Sequence, residues 1–160
     1  MVLLAVVGRA QAAQSFDALT CQSDIPKALL GRAMPNGRVS VIEARYKHLA
    51  LKDLGASGVE IEGDPWTLIS WRICGREYVL LERLGVVKDV LPSPAEAGQE
   101  ESIIATCSVD GVESKQTAIV FAPAAAVRTP SQVRRAWFID DQAVKFVERH
   151  AAKILCKASP

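Results

Sequence analysis

The sequence predicts an α+β protein: a twisted antiparallel sheet built from consecutive hairpins, with one or two helices near the N-terminus packed on one face. Three observations carry that prediction. Short runs of alternating apolar and polar residues are separated by glycine turns, helix-capping punctuation is concentrated before residue 51, and no succession of strand and helix suggests a parallel sheet.

The helical part comes first. In "SDIPKALLG", Ser23 or Asp24 serves as the N-cap, Pro26 falls in the first turn and Gly31 closes the helix in a left-handed conformation. Pro35-Asn36-Gly37 is a turn. Over residues 38–50, Val39, Ile42, Tyr46 and Leu49 follow a helical stripe, whereas strand alternation fits only at the ends of the segment. A helix is the reading adopted, with "GASG" at 55–58 as the loop after it.

The strands follow. Asp64-Pro65 opens a strand over residues 66–74, and Gly75-Arg76 has the glycine-first order of a type II′ turn. That register sets Cys74 opposite Glu77, Ile73 opposite Tyr78 and Trp71 opposite Leu80, so Ile69, Trp71, Ile73, Tyr78 and Leu80 share the core face. Cys74 then points the other way, beside Arg72 and Glu77. Residues 91–102, rich in Pro, Gly and Glu, form the best internal boundary. Beyond them Asp110-Gly111 is a type I′ turn, placing Ile103, Ala105, Cys107, Val109, Val112, Ala118 and Val120 on one face. Residues 123–132 are a second loop. A turn around Asp141-Gln142 makes a third hairpin, pairing Ile139 with Val144 and Trp137 with Phe146. A helix capped by Asp141 and running through Val144, Val147, Ala151, Ile154 and Leu155 is the rival reading.

Of the 160 residues, 49% are hydrophobic and 23% charged, which is a globular composition, and the formal net charge of +1 implies no long-range field. An apolar stretch over residues 2–7, then small residues around Ala10-Gln11-Ala12, reads as the end of a secretory signal over residues 1–12, although no basic segment precedes it. The alternative is a buried N-terminal strand. Residues 13–160 are then expected to form a single disulfide-stabilised α+β domain, periplasmic or secreted.

Cys21, Cys74, Cys107 and Cys156 are even in number and fit neither a C-x-x-C redox motif nor a zinc site, so two disulfides are the expectation. Cys21–Cys74 with Cys107–Cys156 is the favoured pairing because each bridge ties one half of the chain. Cys21–Cys156 with Cys74–Cys107 stays open.

Recognisable chemistry is sparse. His48 and His150, the only histidines, lie in unrelated segments outside any nucleophile motif, and neither is given a role. Glu60, Glu62 and Asp64 alternate, so one strand would point all three carboxylates together as a weak calcium site, but the glycine spacing of a calcium loop is missing and a solvated strand edge is preferred. Asp140-Asp141 reads as turn or cap chemistry. Arg134-Arg135 beside Trp137 is an isolated basic pair, and no phosphate cradle or nucleic-acid platform occurs. A functional reading of Cys74 would use Arg72 and Arg76 to lower its thiol pKa; export and cysteine parity favour the bond.

The expected function is therefore a secreted or periplasmic, non-enzymatic binding or inhibitory module. It takes a protein or small ligand of the cell envelope or exterior and needs no cofactor, metal, nucleic acid or stable membrane insertion. The competing expectation is a small exported enzyme, either thiol-dependent through Cys74 or a hydrolase whose carboxylates converge only in three dimensions.

Overall fold

A computed structural model describes residues 15–94, 100–150 and 153–159. The expected leader over residues 1–12 lies outside them. The architecture is α+β, with two short helices ahead of antiparallel sheets built from hairpins.

Helix α1 (Ile25–Leu29) begins where the Asp24 carboxylate accepts from the Lys27 N–H, carries Pro26 in its first turn, and is followed by Gly31 at φ 75°. These are the predicted signals. Helix α2 (Val39–Arg45) is followed by a 3-10 turn at Lys47–Leu49, so the helix read over residues 38–50 is present in two pieces within those bounds.

Strands β1 (Lys52–Ile61), β2 (Asp64–Ile73), β3 (Arg76–Arg83) and β4 (Val86–Pro92) form one four-stranded meander. The "GASG" loop at 55–58 is corrected here. Those residues lie inside β1 and pair with β2 one by one after a bulge at Gly55, whose φ of 127° suits only glycine. The sequence disguised the strand because β1 is an edge, exposed on both faces over residues 54–58 and therefore without apolar alternation.

The β2–β3 register is also corrected. Ile73 faces Arg76, so the two turn residues are Cys74 and Gly75, with φ 52° and 82°, the double left-handed pattern of a type I′ turn. A slip of this size preserves parity. Trp71, Ile73, Tyr78 and Leu80 therefore remain on the core face, where they pack with Phe16, Leu29, Tyr46 and Leu49 of the helical layer. The turns Glu62-Gly63, Leu84-Gly85 and Asp110-Gly111 repeat the same backbone solution.

The predicted boundary at 91–102 is narrower than read, because residues 91–92 pair within β4 and 101–102 within the first strand of a second, seven-stranded sheet: β5 (Glu101–Val109), β6 (Val112–Glu113), β7 (Ala118–Ala122), β8 (Ser131–Gln132), β9 (Ala136–Asp140), β10 (Lys145–Arg149) and β11 (Ile154–Ala158). Asp110-Gly111 is the turn expected, and Ala105, Cys107, Ala118 and Val120 do share a buried face. Val112 does not join them. Strand β6 lasts two residues before the chain turns away, leaving Val112 72% exposed.

Residues 134–149 form the hairpin rather than the rival helix, with a longer turn than expected. Ile139 pairs with Phe146 instead of Val144, because the Asp140 carboxylate accepts from the N–H groups of Gln142 and Ala143 and spreads the turn over 141–144. Residues of the rival helix stripe, Ile154 and Leu155, enter β11 and pair with β5.

The two sheets stack. Leu68, Val79 and Leu81 of the first meet Ile119, Trp137 and Ile139 of the second in a shared apolar layer.

Candidate functional site

At one end of that layer the apolar packing gives way to polar groups. On β2 the residues facing the second sheet run Trp66, Leu68, Ser70, Arg72, and on β3 they run Glu77, Val79, Leu81. Arg72 and Glu77 are direct cross-strand partners beside the Cys74-Gly75 turn. Strict alternation thus delivers a carboxylate and a guanidinium to the mouth of the intersheet seam.

Glu77 is only 5% exposed. Its Oε1 accepts from the backbone N–H of Ser102 at 2.9 Å, which ties β3 to the start of β5. Among the described residues no donor reaches its Oε2, which is likewise buried. Leaving a buried acceptor unmatched costs about 1–3 kcal/mol, more if it is charged. Ser70 and Ser102 hydroxyls meet at 2.8 Å close by. The Arg76 guanidinium is committed to the Ser93 carbonyl, at 2.9 Å from Nε, and lies 5.9 Å from the Tyr78 ring centre. The Arg72 side chain has neither a hydrogen bond nor an ion pair among the described residues.

A cleft of 270 Å³ is lined by Arg72, Gly75, Arg76, Glu77, Ser93, Pro94 and Glu100. It meets a second groove of 480 Å³ at Pro94 and Glu100; there Phe121, Val127, Val133 and Trp137 supply apolar walls. Phe121 and Trp137 stack edge to face at 5.5 Å. The groove's Arg135 is held by Glu148 at 2.5 Å and lies 4.9 Å from the Trp137 ring centre. A third cavity of 600 Å³ lies between the Leu84-Gly85 tip and Val144, with Arg83 over the Trp66 ring and paired to Asp64. Its lining includes Trp66, whose buried Nε1 has no acceptor among the described residues, but among those residues no charged group of the lining is both buried and unmatched.

The remaining sequence candidates disperse. Cys74 does not lie beside Arg72 and Glu77 as a strand residue; its sulfur is bonded to Cys21, while Cys107 is bonded to Cys156 across β5 and β11. Glu60, Glu62 and Asp64 do not share one strand, because Glu62 occupies a turn and Asp64 begins the next strand. His48 Nε2 is 3.1 Å from the Leu19 carbonyl, whereas His150 lies 3.9 Å from Glu148 on β10. Asp140 organises its turn, as read. Reading the sequence passed over Glu77 as a site residue, although a glutamate on the same face as Val79 and Leu81 in "EYVLLER" was a signal for a buried carboxylate.

Comparison with known proteins finds no matching family model, curated protein or solved structure. Among the described residues no helix is long and apolar enough to cross a membrane.

Proposed function

We propose that this chain is an exported, non-enzymatic binding module whose recognition site is the Arg72–Glu77 cleft, taking a small ligand or a segment of a protein partner. The observation that carries the reading is the buried Oε2 of Glu77, an acceptor with no donor among the described residues, on a residue that lines an open cleft. A side-chain movement that uncovers this oxygen to the cleft lets a bound donor satisfy it. Rigidity supports the reading as well: the turn between Arg72 and Glu77 is held by the Cys21–Cys74 bond, so the site needs little ordering on binding. Two disulfides support export, since such bonds persist in oxidising compartments.

A thermal-shift screen of metabolites and short peptides tests the site. Hits should disappear in both Glu77→Gln and Arg72→Gln; hits indifferent to both variants would place recognition elsewhere. Export is tested separately by non-reducing peptide mapping of the natural product, which should lack residues 1–12 and contain no reduced cysteine.

One observation favours a second reading. Glu77 and Glu100 line the same cleft, so a hydrolase using two carboxylates is the enzymatic competitor. It requires that Glu100→Gln abolish turnover in a hydrolase substrate panel. The binding module shows no turnover in that panel. A thiol enzyme has less support, with Cys74 bonded to Cys21.

A further inference from the structure

Resting on the binding reading above, the geometry points to a small zwitterion with an apolar side chain, that is, a free apolar or aromatic amino acid, as the ligand class of the Arg72–Glu77 cleft. Two unmatched groups and one neighbouring surface define it. Glu77 Oε2 is a buried acceptor lacking a donor among the described residues, which calls for an N–H donor and, because the group is a carboxylate, preferably a cationic one. Arg72, its direct cross-strand partner, carries a fork of donors with no acceptor among the described residues. A planar carboxylate matches that fork in two parallel bonds.

The cleft's formal charge narrows the class further. Arg72 and Arg76 balance Glu77 and Glu100, so the lining favours neither a simple anion nor a simple cation over a molecule that carries both signs. Arg76 does not compete for the ligand's carboxylate with its full fork, because Nε and Nη2 are already given to the Ser93 carbonyl. The adjoining groove adds the third part. It opens from the same Pro94 and Glu100 and presents Phe121, Val127 and Trp137, an apolar wall suited to a side chain carried by the same small molecule. Ammonium, carboxylate and apolar group on one carbon meet these three features together.

Isothermal titration with four probes tests the class: phenylalanine, phenethylamine, 3-phenylpropionate and glycine, each against the intact disulfide-bonded chain. Phenylalanine is expected to bind at least ten times more tightly than any of the other three. Glu77→Gln and Arg72→Gln should each weaken it at least tenfold, and circular dichroism should show both variants folded. Trp137→Phe should weaken phenylalanine while leaving glycine unchanged. Binding of 3-phenylpropionate as strong as that of phenylalanine and indifferent to Glu77→Gln would overturn the inference in favour of an anion site. No binding of any probe would also overturn it. The broader reading would survive either result if the thermal-shift screen yields a different ligand lost in Glu77→Gln, and it would fall with the inference if that screen yields none.

Discussion

The backbone N–H of Cys74 donates to the carbonyl oxygen of Leu49 at 2.7 Å, so the β2–β3 turn is anchored to the helical layer twice, by this bond and by the disulfide to Cys21. Cys21 is exposed and Cys74 half-buried, whereas Cys107 and Cys156 are buried. Graded reduction followed by alkylation and mass spectrometry should therefore label Cys21 and Cys74 first. Replacing Cys21 and Cys74 together by alanine should lower stability by about 4 kcal/mol in urea titration, the value for closing a loop of about 50 residues. Simultaneous labelling of all four cysteines would contradict the exposure argument.

Leu84 occupies the first position of its turn at φ 52° and is 92% exposed, with Gly85 following at φ 76°. A branched side chain in the left-handed region is strained, and asparagine tolerates it better. Leu84→Asn should stabilise by about 0.5–1 kcal/mol, read as a higher thermal midpoint. Gly85→Ala should move the midpoint the other way, at a cost of about 1–2 kcal/mol.

Arg135 holds the Glu148 carboxyl below its ordinary pKa by a direct hydrogen bond, outweighing the opposing effect of partial burial. A carboxylate with a depressed folded pKa contributes stability that is present above the unfolded value and lost as pH falls through the folded one. The difference in thermal midpoint between the wild type and Glu148→Gln should therefore be present at neutral pH and shrink below about pH 4.5. A difference constant down to pH 3 would show that the charge on Glu148 is not its source.

The Asp89 carboxylate accepts from the backbone N–H of Phe146 at 2.7 Å, a bond from β4 of the first sheet to β10 of the second. Asp89→Ala leaves that donor unmatched and should cost about 1–2 kcal/mol in urea. Asp89→Asn keeps an acceptor oxygen and should cost less. Equal losses in the two variants would mean that the charge, and not the acceptor, matters there.

Much of the fold was legible because its determinants are local. The α1 cap at Asp24, the stripe of Ile42, Tyr46 and Leu49, and the Asp110-Gly111 turn are all decided by residues within a few positions of one another. What was misread depends on neighbours far along the chain. Gly55 to Gly58 carry no strand signature of their own and become strand by pairing with β2. The hairpin over 136–149 was read correctly against a rival helix, and it prevails although the segment has good helix formers, because Ile154 and Cys156 beyond it gain more by burial against β5. Glycine at the second turn position, present at Gly63, Gly75, Gly85 and Gly111, was the better register signal than asparagine or aspartate at the first. The cleft itself was half visible: Arg72 and Glu77 follow from alternation, but Ser93 and Ser102, which hold Arg76 and Glu77 in place, arrive from outside the hairpin.

The two sulfur bonds join the first cysteine to the second and the third to the fourth, without interleaving. A chain threaded N-terminus first into an oxidant meets each partner in order of emergence. The leading bridge is then able to close before the trailing pair has appeared, and maturation by that route requires no shuffling of mismatched bonds by an isomerase.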